Sequence, residues 1–298
     1  MKTSTATFFL AGLSAAASLL HAQTPLSPRS SENDVEYLAE VAYAGRAGIA
    51  AGSQALGDID SLQVRLNAVR TLPIDAGSAW LLGIGAERFE FNPPAGQPIP
   101  DRLAAYTLKL GYNRQFDPRW ALRAKLDPGF YGAEGAGGSG AFNIPTTLGL
   151  GYARSREVQW FFGVNVDPRA AYPVVGVGGV RWQLAGAWTL QAMFPESRIE
   201  YAASRDLTLF AAATLSTATY RVAQDFGRRH GRTDLDNQQV SYRELNADVG
   251  LRYRLTPAVA LAMTAGWMLD RRFEFHDRHL LLNGAGAPSA QVTLSGAF

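Results

Sequence analysis

The stretch Gln291-Val-Thr-Leu-Ser-Gly-Ala-Phe298 alternates polar or small residues with apolar ones up to a final aromatic. Period-two alternation of this kind is the pattern of a half-buried strand. A chain that closes on a strand and opens with an export signal is expected to be a membrane β-barrel, because the last strand must pair with the first to leave no unpaired edge in lipid.

The other end supplies the export signal. Lys2 is followed by an apolar and small run, Phe8 to Leu20, and by Leu20-His21-Ala22, which offers a small residue at a cleavage position. This reads as a secretory signal peptide over 1–22, cut after Ala22 with Ala17 as the alternative. Its 13-residue run falls short of the ~20 that a spanning helix needs. Residues 23–34 are polar and Pro/Ser-containing, a periplasmic leader, and 35–298 is expected to be one barrel domain. With Gln23 after the cut and no cysteine in the chain, neither an N-terminal lipid anchor nor a disulfide framework is expected.

Composition agrees. Thirty Gly, eleven Tyr, fifteen Phe and six Trp suit alternating strands, and no later stretch reaches 18 apolar residues, which argues against inner-membrane helices. Without Lys2 the charges are 28 − 1 = 27 basic against 26 acidic, so there is no basic footprint for nucleic acid.

Six short turn signals sit between alternating runs, at 75–78, 117–119, 155–157, 185–187, 204–206 and 256–258. Between them lie mostly longer connections, near 52–58, 92–101, 132–143, 168–172, 195–196, 223–238 and 274–288. Tight turns at one end and longer loops at the other are the outer-membrane pattern, with the tight turns and both termini expected in the periplasm. Counting between turns predicts an all-β, closed antiparallel barrel of 14 strands. The alternative is 12, because Pro195 splits 188–204 into two runs of about seven, short of the ~9–11 of a tilted spanning strand.

Tryptophan placement is an independent guide. Trp80, Trp120, Trp160 and Trp188 follow short turns and Trp182 precedes one; Tyr112, Tyr152 and Tyr253 stand just before turns in related Leu-x-Tyr phrases. These eight are expected to form an aromatic girdle at headgroup depth. Phe89, Phe91, Phe130, Tyr131, Phe273 and Phe275 are assigned to the opposite girdle.

Facing is clearest over 241–255, where Leu245, Ala247, Val249, Leu251, Tyr253 and Leu255 share one face and Glu244, Asn246, Asp248, Arg252 and Arg254 the other. The apolar set is assigned to lipid and the polar set to the lumen, since an Arg on the lipid face at mid-membrane costs ~2–4 kcal/mol. The same projection sends Arg65, Lys109, Arg123, Lys125, Asp127, Arg181, Glu244, Asp248, Arg252, Arg254, Asp270 and Arg272 into a possible pore. With Glu36, Glu40, Glu87, Asp167, Arg198 and Glu200 the inward set is nine positive and nine negative. Such a balance argues against strong ion selectivity.

Other chemistry is thin. His276-Asp-Arg-His279 offers two imidazoles and a carboxylate, and Arg228-Arg-His-Gly-Arg232 offers guanidinium forks for lipopolysaccharide phosphates, but a solvated loop accounts for both. None of His230, His276 and His279 stands in a nucleophile–base phrase, so no enzyme, metal or cofactor is expected. Gly176-Val-Gly-Gly179 lies within a predicted strand with no helix following, which suits relief of crowding rather than phosphate binding.

The phrases Trp188 to Tyr201, Asp206 to Phe210, Leu251 to Pro257 and Asp270 to Phe275 resemble a family of bacterial outer-membrane barrels catalogued only as a domain of unknown function. Phe298 resembles the terminal aromatic by which such proteins are recognised for assembly. The resemblance implies fold and location, with lipid, lipopolysaccharide and the barrel-assembly machinery as partners; it implies no activity. The lumen then admits two functions: a porin-like passive channel for small polar solutes with weak charge selectivity, or a non-conducting structural or surface-interaction barrel whose lumen is salt-bridged shut. An outer-membrane hydrolase is a remote third.

Overall fold

The computed structural model describes residues 35–298, apart from 134, 135, 137 and 138. The expected signal peptide and leader lie outside the described residues.

Seventeen strand segments follow in order: β1 (Val35–Ala51), β2 (Gln54–Asp75), β3 (Ser78–Phe91), β4 (Arg102–Gln115), β5 (Trp120–Leu126), β6 (Gly129–Ala133), β7 (Phe142–Asn143), β8 (Thr146–Ala153), β9 (Val158–Val166), β10 (Val174–Ala185), β11 (Trp188–Phe194), β12 (Glu196–Ala202), β13 (Leu207–Arg221), β14 (Gln239–Thr256), β15 (Val259–Phe275), β16 (Leu280–Gly284) and β17 (Ala287–Ala297). Three pairs are single staves with a break. β5 and β6 are parted at Pro128, and β7 and β8 at Pro145, where the missing N–H interrupts the ladder; β16 and β17 are parted at Ala285-Gly286. Fourteen staves result. The last meets the first from Glu36↔Ala297 to Ala44↔Ser289, and Val35 and Phe298 exchange backbone hydrogen bonds of 2.9 and 3.2 Å. The barrel is therefore closed and antiparallel, and β11 and β12 are separate staves. Among the described residues no helix is long and apolar enough to cross a membrane.

All six expected short turns join staves at one end. At the other, two expected loops are mostly strand instead. β1 and β2 continue to a two-residue turn at 52–53, and β16 occupies 280–284, paired with β15 and with Ile49–Ala51. β2 has 22 residues, β14 has 18, and β1 and β15 have 17 each. Since ~9–11 suffice to span, these strands extend beyond the membrane band at the long-loop end.

Facing changes there. In β15 the register slips between Leu245↔Asp270 and Asn246↔Met268, leaving Leu269 as the extra residue of a β-bulge. A one-residue slip exchanges the two faces of a strand. Met263, Trp267 and Leu269 are exposed on the outer face, while Met268, Arg271, Phe273 and Phe275 are buried inside. Asp270 and Arg272 are therefore not lumen residues. They lie outside with Arg243, and Asp270 is 2.5 Å from Arg243 and 3.2 Å from Arg272. Because Leu269 is the extra residue, deleting it is expected to leave Arg271 and Phe273 inward and to keep the heat-modifiable folded band on electrophoresis, whereas inserting an alanine between Asp270 and Arg271 turns Arg271 outward and abolishes the band.

The wall also departs from a regular cylinder. The β11–β12 hairpin ends at Pro195, so β13 beyond Thr214 has no β12 partner. There Leu215 packs against Val175, Val177, Phe194 and Leu245, and β13 ends paired in parallel with β6 at Arg221↔Gly132. Thr217 and Thr219 are buried although their neighbours on the opposite face are buried too. The long-loop half of the barrel is thus drawn in.

Candidate functional site

The interior divides into a charged half toward the tight turns and an apolar half toward the long loops. Cross-strand register assembles the charges, because partners on neighbouring strands share a face. Glu40↔Arg65↔Glu87 form one row over β1, β2 and β3. The Arg65 guanidinium donates to Glu40 at 2.9 Å and to Glu87 at 2.6 Å. Gln63 donates to Glu87, and Gln291 and Thr293 donate to Glu40. Farther round, Lys109 and Lys125 face Asp127 at 3.3 and 4.0 Å, and Arg123 donates to Asn113. Arg198 lies between Glu196 at 2.8 Å and Glu200 at 3.5 Å, with its guanidinium 4.5 Å over the Phe210 ring, and Arg252 reaches Glu200 at 3.4 Å. Asp248 accepts from Ser289; opposite it, a Cβ on Gly266 would stand 2.4 Å from the carboxylate, so glycine makes its room. Arg181 alternates with exposed Trp182, and Arg254 sits at the tight-turn rim 4.0 Å from Asp206.

Two inward charges escape the sequence projection. Glu196 is buried against Arg198, and Arg271 takes the place given to Arg272. One acid and one base replace Asp270 and Arg272, so the lumen keeps its charge balance. Arg271 is 1 % exposed and donates to the Ile59 carbonyl, the Ser61 hydroxyl and the Met268 sulfur. Glu244 accepts from the Tyr242 hydroxyl.

Above this row the lumen is filled. Phe89, Phe91, Tyr131, Phe273 and Phe275, expected in an outer girdle, are buried inside the barrel; of that group Phe130 alone is exposed, at 56 %. Phe89 and Phe91 share the parity of inward Glu87, and Phe273 and Phe275 follow the bulge. Phe91 meets Tyr242 and Phe273 at ring-centroid distances of 5.0 and 5.1 Å, joining β3 to the non-adjacent strands β14 and β15. A void of about 10 Å³ between Arg65, Glu87 and the rings of Phe89, Tyr220 and Tyr242 separates the charged row from this layer.

The connection 222–238 completes the seal. It folds into the mouth through a one-turn helix, Phe226–Arg229, and a 3-10 turn, Thr233–Leu235. Val222, Ala223, Phe226 and Leu235 are buried in the same core as Phe273, Phe275 and Leu282. A Cβ on Gly227 would lie 1.9 Å from the Arg232 carbonyl oxygen, so only glycine permits the tuck. The loop's arginines point out and each has its own acid: Arg228–Asp236 at 3.1 Å, Arg229–Asp225 at 3.4 Å and Arg232–Asp234 at 2.9 Å. The Arg232 hydrogen bonds hold the Asp234 carboxyl below its ordinary range. This loop is a stopper with a neutralised rim rather than the free surface loop expected.

Outside, Trp80, Trp120, Trp160, Trp182, Trp188 and Tyr253 are each more than a third exposed. The Tyr112 ring lies tilted against Trp80 at a centroid distance of 4.9 Å and Tyr152 against Trp120 at 4.7 Å, each its cross-strand partner. Phe298 is 78 % exposed and lies 5.8 Å from the Tyr37 ring. His230 bonds the Phe226 carbonyl and His276 faces Asp277; among the described residues no histidine bonds a serine or threonine hydroxyl, and no three potential metal ligands cluster. Gly179, at φ +153, would bring a Cβ within 2.1 Å of the Ala192 carbonyl oxygen, in keeping with its crowding role.

Residues 21–282 match the family model described as Domain of unknown function (DUF6268). The chain belongs to this family. No curated protein matches it. Among solved structures it is similar to the P. putida toluene transporter TodX at 10% identity, with 91% of each chain covered and a TM-score of 0.44. It is also similar to an outer membrane channel from Pseudomonas putida F1 (8% identity, 90% of this chain and 96% of that one, TM-score 0.48) and to the NanC porin (12%, 87% and 98%, TM-score 0.41).

Proposed function

We propose that this barrel lies in the outer membrane, tight turns and termini toward the periplasm, and is a passive channel for small polar solutes held shut at its outer mouth. One observation carries the reading. A charge-balanced polar interior runs up from the tight-turn end and stops at a seal made of side-chain rings and one folded-in loop. Charges removed from water cost several kcal/mol each even when paired, so a barrel that had no use for an aqueous interior would do better with apolar filling throughout. Charges of both signs give weak ion preference. The reading assigns no catalytic step. Trp80, Tyr112, Trp120, Tyr152, Trp160, Trp182, Trp188 and Tyr253 form the periplasmic headgroup belt, and Phe298 marks the chain for assembly.

Planar-bilayer recording tests it. The expected result is a closed state with brief openings of weak ion preference, shifted toward cations by Arg198→Ala, which removes one lumen cation. Folded protein that stays silent even after its seal is removed favours the rival structural barrel.

A further inference from the structure

The lumen charges balance in number but not in place. On β4 and β5, Lys109 and Lys125 share one acid, Asp127, at 3.3 and 4.0 Å. Lys125 meets Lys109 and Arg123 as like charges and Asp127 as its only opposite one, while Arg123 lies in the field of Glu36. That wall carries one cation in excess, two ammoniums against one carboxylate once Arg123 and Glu36 are set against each other. On β12 and β14 the excess is reversed. Two guanidiniums, Arg198 and Arg252, are held by Glu196 and Glu200. Asp248 is left with the Ser289 hydroxyl at 3.2 Å and, among the described residues, no cation.

Stave order and height set the two walls opposite each other. β5 belongs to the fifth stave and β14 is the twelfth, seven apart in a ring of fourteen and so across the lumen. Lys125 stands five residues up its strand from Trp120 of the aromatic belt, and Asp248 five from Tyr253. At ~3.3 Å per residue and a tilt of about 40°, both lie roughly 13 Å above the belt. Their cross-strand neighbours are small, Ala212 and Gly266 beside Asp248 and Gly111 and Thr147 beside Lys125, so both charges face the space between the walls. Opposite excesses at one level make a field across the pore rather than along it.

We propose that this level of the lumen selects zwitterions, solutes that carry a carboxylate and an ammonium at once, with the carboxylate turned to Lys109 and Lys125 and the ammonium to Asp248. The inference names the solute class of the channel and rests on that reading. A singly charged ion is drawn to one wall and repelled by the other, and an uncharged solute gains at neither. A zwitterion gains at both by aligning its dipole with the field.

Osmotic swelling of proteoliposomes tests it, with glycine and its uncharged isomer glycolamide as probes, for the intact protein and for protein with its seal removed. Glycine is expected to enter roughly fivefold faster than glycolamide, the factor that one contact between opposite charges gives in water. Lys125→Gln with Asp248→Asn removes one charge of each sign, so the lumen keeps its net charge. In that variant, with its folded band intact, the glycine preference is expected to vanish while the reversal potential in a salt gradient stays unmoved. Equal entry of the two probes through conducting protein overturns the proposal and leaves the channel reading intact. So does a glycine preference that survives in the double variant, and a preference lost together with a shifted reversal potential assigns the effect to net charge and overturns it as well. If neither probe enters through folded, seal-removed protein, the channel reading fails and the proposal with it.

Discussion

Replacing residues 223–237 by a two-residue Asn-Gly turn, together with Phe91→Ser and Phe273→Ser, is expected to convert a closed barrel into one with steady conductance. The splice is geometrically open, because the Val222 amide already donates to the Gln238 carbonyl at 2.9 Å and a two-residue turn can close that pair. It removes Phe226 and Leu235 from the mouth, and the two serines open the contact between β3 and β15. The loop replacement alone leaves the ring layer and gives brief openings; Phe91→Ser and Phe273→Ser alone leave the stopper. Recordings in planar bilayers, with the heat-modifiable band as the check on folding, separate the three. A silent bilayer from folded triple-change protein would remove the case for conduction. The same variant loses part of the apolar core and is expected to unfold at lower urea, so both measurements belong to one preparation.

The second large effect concerns Arg65. It holds two carboxylates, Glu40 and Glu87, that are only 6% and 17% exposed at the side chain. Arg65→Ala leaves both acids unpaired at the inner end of the polar lumen, directly beneath the ring layer and largely shielded from water in the shut state, and breaking a buried pair in this way costs about 3–5 kcal/mol. Unfolding in urea from lipid vesicles measures it. Adding Glu40→Gln and Glu87→Gln to Arg65→Met is expected to recover most of the loss, because no uncompensated charge then remains. A loss under about 1 kcal/mol for Arg65→Ala would mean that water already reaches this row and screens it.

Much of this molecule is legible in its sequence. Period-two alternation and turn residues are local properties, and they set the six tight turns, the fourteen staves and the inward course of Glu40, Arg65, Glu87, Lys109 and Arg198. Phe89 and Phe91 were legible too, by the parity they share with Glu87, although position near a strand end suggested a girdle. Over β15 one further signal existed. Val259 to Leu269 is already eleven residues, enough to cross. Beyond it water replaces lipid outside, so the apolar face must turn inward, and Asp270, Arg272 and Glu274 belong outside.

What the sequence by itself determined is the barrel class, the strand count and the polarity of the lumen toward the tight turns, because each depends on neighbours two residues apart. Only the tertiary structure decided that the other half is sealed. Leu-Asp-Arg-Arg at 269–272 reads equally well in either register, and the slip is chosen by pairing with Leu245 and Asn246 on another strand. The stopper likewise depends on distance across the barrel. Phe226 and Leu235 become core only because β13, still paired with β14 but without β12 beyond Thr214, reaches β6 and narrows the mouth to the width that one loop can fill.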